Sequence, residues 1–209
     1  MSAGTSNGVE FAGIELAKFS ANSYPILPAP VLVDLPCLNN NNNSTKDPYK
    51  LCKSSRHKAA YALKENILGM VATFGIERIG VLTLTFANHV TDPKIASKRF
   101  NSLATHVLKD RYLCWVVVFE RQQTGRIHFH LLVALREGDI RTGANFKEFE
   151  QRIYTSAAPQ LRTEWAYWQE AAPAYGFGRT ELLPIKSTAE RIGDYFIKYL
   201  IKHIYSHIE

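Results

Sequence analysis

The sequence predicts an α+β domain built on one antiparallel sheet with helices packed on one face. The run IGVLTLTF (Ile79 to Phe86) alternates and is rich in β-branched residues, which is the signature of a strand. Two further apolar runs, YLCWVVVFE and RIHFHLLVAL, are separated only by RQQTG, short enough for a hairpin. Helical patterns stand between and after these runs, so beyond a first helix the order is β-α-β-β-α-β-α. That is the split βαβ, or ferredoxin-like, plan. Such a sheet leaves its second face open to a ligand.

Each element has a local cause. SSRHKAAYALKENILGMVATFG reads as a helix ending at Gly75, with Ala60, Leu63, Ile67 and Met70 along one stripe. DPKIASKRFNSLATHVLKD opens with Asp92 as cap and Pro93 at the first helical position, where its missing N–H costs nothing. NFKEFEQRIYTSAAPQLRTEWAYWQEA is mostly helical, capped by Asn145 and kinked or broken at Pro159. GRTELLPI is strand-like. STAERIGDYFIKYLIKHIY is a helix opened by Ser187 or Thr188.

Residues 1–52 differ from the rest. Pro25, Pro28, Pro30 and Pro36 are followed by five asparagines, Asn39 to Asn43, a composition that cannot feed a core. The division expected is an N-terminal arm over 1–52, partly disordered or extended, with VLVDL as a short edge strand, and a folded domain over 53–209.

The chain has 209 residues, 46% hydrophobic and 21% charged, enough to bury a core. Its net charge of +6 suits a polyanionic partner without requiring one. Three cysteines with no CxxC pair argue against a disulfide framework or a cysteine zinc site, and for a reduced, intracellular protein. No apolar run approaches the ~18 residues of a membrane helix, and no signal peptide opens the chain. No GxxxxGK[ST] loop is present, so no ATP-driven helicase is recognisable.

The histidines of GRIHFHLLVAL carry the first functional signal. Side chains alternate along a strand, so His128 and His130 point to one face about 7 Å apart. A hairpin turn centred near Thr124 sets Glu120 across from His128, with Cβ atoms about 5 Å apart. Two imidazoles and a carboxylate suit a divalent cation with open positions for substrate oxygen.

The last helix carries the second. Tyr195, Lys198, Tyr199 and Lys202 stand at i, i+3, i+4 and i+7 and share a face. Ile192, Phe196, Leu200, Ile201 and Ile204 are assigned to the opposite half. Phenols beside ammonium groups suit attack on a phosphodiester, since a phenol near pKa 10 needs its proton removed or its oxyanion stabilised.

Together these motifs resemble the HUH family of single-strand DNA endonucleases, the rolling-circle replication initiators. HFH (His128 to His130) matches the histidine–hydrophobe–histidine motif and TLTF (Thr83 to Phe86) looks like the family's first motif. YFIKYLIK (Tyr195 to Lys202) is similar to the doubled Tyr-x-x-Lys of initiators from small circular-genome phages and plasmids. The resemblance spans roughly residues 79–204, with the motifs in family order. It implies a metal, Mg²⁺ or Mn²⁺, held by His128, His130 and Glu120. It implies nucleophilic Tyr195 and Tyr199 with Lys198 and Lys202 in support, and a 5′-phosphotyrosine intermediate. It further implies single-stranded origin DNA as substrate, host helicase and polymerase as partners, and the cytoplasm of a prokaryotic host.

Arg126, Arg121, Arg179, Lys98 and Arg99 are the candidate contacts to DNA phosphates. Two other functions fit parts of the pattern. A two-tyrosine HUH transposase would use the same chemistry. A non-catalytic RNA- or single-strand-binding module would stack bases on sheet aromatics such as Phe86 and Phe129, although no RNP-like signature is present.

Overall fold

The structure, a computed structural model, describes residues 53–205, with the side chains of 57–199. The expected arm over 1–52, Cys37, Cys52 and the Lys202 side chain lie outside the described residues. In chain order the elements are α1 (Lys53–Phe74), β1 (Ile79–Phe86), α2 (Pro93–Leu103), α3 (Lys109–Arg111), β2 (Tyr112–Arg121), β3 (Ile127–Leu135), α4 (Phe146–Glu150), α5 (Pro159–Ala171), β4 (Phe177–Pro184) and α6 (Ala189–Tyr205). A π-helical stretch, Ala104–Leu108, joins α2 to α3.

The four strands form one sheet in the order β2-β3-β1-β4, every neighbour antiparallel. That is the order the ferredoxin-like plan requires. The Asp92 carboxylate caps α2 by accepting from the Lys94 N–H at 2.8 Å, one residue before Pro93. Pro159 breaks the long helical pattern and restarts it as the first residue of α5.

Alternation sorts the strands into two faces. Leu82, Leu84, Phe86, Phe129, Leu131 and Val133 pack under α2, the π stretch and α5. Arg111 and the Tyr112 hydroxyl both hydrogen-bond the buried Glu164 carboxylate beneath them, and the Trp168 indole donates to Tyr112 at 2.7 Å. Trp168 and Trp165 are core aromatics, as helix periodicity suggests.

The second face is not wholly open. The two crossover helices lie on one face as expected, but α1 and α6 pack on the other. They bury Leu63, Ile67, Met70, Ile192 and Phe196 against Cys114, Val116, Val118, Leu132 and Ala134. The physical reason is that this face is apolar over half its length and cannot be left to water. Only toward the hairpin end does it turn polar, and the candidate site lies there.

Candidate active site

Register brings the polar residues into two rows across the second face. One row runs Glu120 (β2), His128 (β3), Thr85 (β1), Arg179 (β4); the next runs Val118, His130, Thr83, Glu181. Glu120 does pair with His128, as the hairpin predicts. Gly125 closes that hairpin with a φ of 81°, in the region glycine favours, and Gln122 and Arg126 bond across it.

Both imidazoles are oriented by threonines of β1. The Thr85 hydroxyl lies 3.2 Å from His128 Nδ1, and the Thr83 hydroxyl 3.3 Å from His130 Nδ1. This leaves the two Nε2 atoms to act. Glu120 Oε2 sits 3.0 Å from His130 Nε2, diagonally across the pair. His128 Nε2 is buried and hydrogen-bonded to nothing among the described residues. Burial, with the positive charges of His130 and Arg126 behind it, holds the His128 imidazole below its ordinary pKa, and so neutral.

Among the described residues no three His, Cys, Asp or Glu side chains are arranged to enclose a metal ion. The donor chemistry nonetheless fits one. His128 Nε2 is an orphaned buried nitrogen, the second nitrogen of each ring is fixed by a hydroxyl in the manner of an outer ligand shell, and an anionic oxygen lies adjacent.

Tyr199 lies over this cluster. Its ring stacks on His130 with centroids 4.3 Å apart and planes at 20°, and its hydroxyl donates to the Tyr195 oxygen at 2.7 Å. The assignment of Tyr199 to the half of α6 opposite Ile192 is therefore corrected. At about 100° per residue, Tyr199 falls within about 20° of Ile192, and it packs half-buried against the second core cluster. Tyr195 stands at the rim, 40% exposed. Burial and the hydroxyl of Tyr195 push the Tyr199 phenol above its ordinary range. Lys198 is exposed one step further round the helix, tied to no described residue.

The basic candidates separate sharply. Arg126 donates to the carbonyls of Phe86 and Ala87, and Arg121 to those of Thr91 and Gly125. Both pin the β2–β3 hairpin to the loop after β1. His89 does the same through the Thr124 carbonyl at 3.0 Å. Lys98 and Arg99 ride on α2, which packs against the other face, with Arg99 poised over the Phe86 ring. Of the five, only Arg179 shares the site's face. Phe86 and Phe129, the aromatics a base-stacking sheet would need, are buried on the helix-covered side.

Sequence reasoning missed the roles of Thr83 and Thr85. Their alternation in TLTF showed a common face, but only the β1–β3 pairing, absent from local sequence, brings their hydroxyls to the imidazoles.

Residues 80–204 match the family model of the replication-associated proteins of the ORF2 type. The chain belongs to this family. A curated relative, the phasyl DNA replicon protein arp of Escherichia coli, is 46% identical over 187 residues, covering 84% of this chain. The chain spans 65% of that relative's length. No solved structure matches the chain. The family match runs from β1 to α6 and so takes in both histidines and both tyrosines. Among the described residues no helix is long and apolar enough to cross a membrane.

Proposed function

We propose that the chain initiates replication by nicking and rejoining single-stranded DNA through a tyrosine nucleophile, in the manner of HUH endonucleases. Membership of the replication-associated protein family and likeness to a replicon protein support the replication role. The observation that carries the chemistry is Tyr199 stacked on His130 with its hydroxyl on Tyr195, which gathers two phenols at a His–His–Glu cluster.

In this account Tyr195 Oη bonds to phosphorus as the bond from phosphorus to the 3′ oxygen breaks, and the phenol proton ends on that oxygen. The product is a 5′-phosphotyrosine beside a free 3′-hydroxyl for a polymerase to extend. Tyr199, one turn on, is placed to take a second strand, and Lys198 and Lys202 supply positive charge along the same helix. His128 Nε2, His130 Nε2 and Glu120 would hold a Mg²⁺ or Mn²⁺ ion once Glu120 turns from its bond to His130. Such an ion polarises the phosphate's non-bridging oxygens. Thr83 and Thr85 keep both rings aimed.

The test is denaturing electrophoresis of the chain after incubation with labelled single-stranded DNA and Mn²⁺. A covalent band that disappears with chelator, with His128→Ala and with Tyr195→Phe/Tyr199→Phe together is the expected result. Tight binding with no band, despite intact folding, would point to a non-catalytic binding protein instead.

A further inference from the structure

We infer that Arg179, turned onto the site's face by a bulge at Gly178, holds the phosphodiester that is cut. This inference rests on the nuclease function proposed above and names a contact that function leaves open.

The bulge is visible in the register. From Gly80↔Pro184 to Thr85↔Arg179 the β1–β4 pairs are regular, and then Phe86 pairs with Phe177, leaving Gly178 as an extra residue. Phe177 and Arg179 have the same parity along β4 and would share a face in an unbroken ladder. The bulge separates them, and such bulges commonly re-aim a side chain beside an active site. Phe177 enters the core, stacked on Phe86 at 4.6 Å, while Arg179 faces the side of Thr85 and His128. Glycine is required at the extra position. A Cβ there would lie 2.8 Å from Ala87 Cα and 3.0 Å from its Cβ.

Arg179 is also chemically available. It is exposed, and no hydrogen bond or ion pair ties it to a described residue. Arg121 and Arg126, by contrast, are engaged with main-chain carbonyls. Its charge reaches the site, since it contributes to lowering the pKa of His128.

The row Glu120–His128–Thr85–Arg179 then has a simple geometry. Two strand spacings, about 10 Å, separate the backbones of His128 and Arg179. Between them on β1 stands only the short side chain of Thr85. A phosphodiester seated over Thr85 meets the imidazole side on one flank and a guanidinium on the other. The fork of an arginine matches two phosphate oxygens at once, and donors aimed at developing charge act mainly on the transition state. Glu181 faces the same side two residues on, across from Thr83, and disfavours a second phosphate there.

The experiment uses the full chain, Mn²⁺ and a random-sequence pool of single-stranded DNA, comparing Arg179→Ala, Arg179→Lys and Gly178→Ala with the parent. Affinity is read by anisotropy, the adduct rate at saturating DNA on denaturing gels, and folding by thermal melting. Expected is an Arg179→Ala chain that melts normally and loses little affinity, but forms adduct about 10²-fold more slowly at saturation. Lysine restores part of that rate, being a point charge without the fork. Gly178→Ala falls between. An Arg179→Ala rate at saturation equal to the parent's, with affinity either lowered or unchanged, overturns the role. A parent chain that forms no adduct overturns the nuclease function, and this role with it.

Discussion

Tyr199 lies flat on His130, ring centroids 4.3 Å apart, while its hydroxyl donates to Tyr195 at 2.7 Å. One side chain thus links the imidazole cluster of the sheet to the exposed phenol of the last helix. The arrangement is asymmetric: Tyr195 is reachable by a strand, whereas Tyr199 is half-buried with its proton engaged. Tyr195 is therefore expected to make the first cut. Tyr199→Phe should keep the stack and still yield a covalent adduct, but fail to pass the strand onward. A strand-joining assay with two labelled oligonucleotides checks this, and a Tyr199→Phe chain that joins normally would contradict it.

Thr83 and Thr85 fix the Nδ1 sides of the two imidazoles. Replacing each by valine keeps the shape and removes only the hydroxyl. Losses of this outer kind cost about 10- to 100-fold in metal affinity. Calorimetric titration with Mn²⁺ should show that drop for either variant, at an unchanged melting temperature.

Stability should respond to acid through His128. Its folded pKa lies below 6.5, chiefly because the ring is buried. Below pH 6.5 the unfolded chain gains a proton that the folded chain still refuses, so stability falls with falling pH until the folded value is reached. Above that window the group contributes no slope. Thermal melts across this range should show a decline that His128→Asn makes shallower. Equal slopes for both chains would show that His128 is not its source.

How much of this was legible in the sequence depended on range. The Asp92–Pro93 helix start and the Glu120–His128 pairing rest on local rules, a cap and a short hairpin, and the structure has both. Pairing between β1 and β3 is not local, so the threonine–histidine bonds could not be read in advance. Arginines were legible as charge but not as partners: Arg121 and Arg126 bond main-chain carbonyls exposed where the hairpin meets the loop after β1. Tyr199 was misassigned for a different reason. Helix arithmetic puts it beside Ile192, but a phenol counted as polar hides the apolar body that packs.

The other face makes its own prediction. Glu164 is 4% exposed and accepts from Arg111 and Tyr112. Removing one partner of such a buried pair strands the other, so Glu164→Ala should destabilise the fold by about 3 kcal/mol. Chemical denaturation measures it. A change near zero would mean that Arg111 simply swings into water.

The most direct test of the central claim is peptide mass spectrometry of the chain after trapping with single-stranded DNA and Mn²⁺ and digestion of the bound strand. The account predicts a nucleotide phosphoryl group on the α6 peptide, at Tyr195. A covalent nucleotide on any residue outside Tyr195 and Tyr199, or none when DNA is bound and metal present, would contradict it.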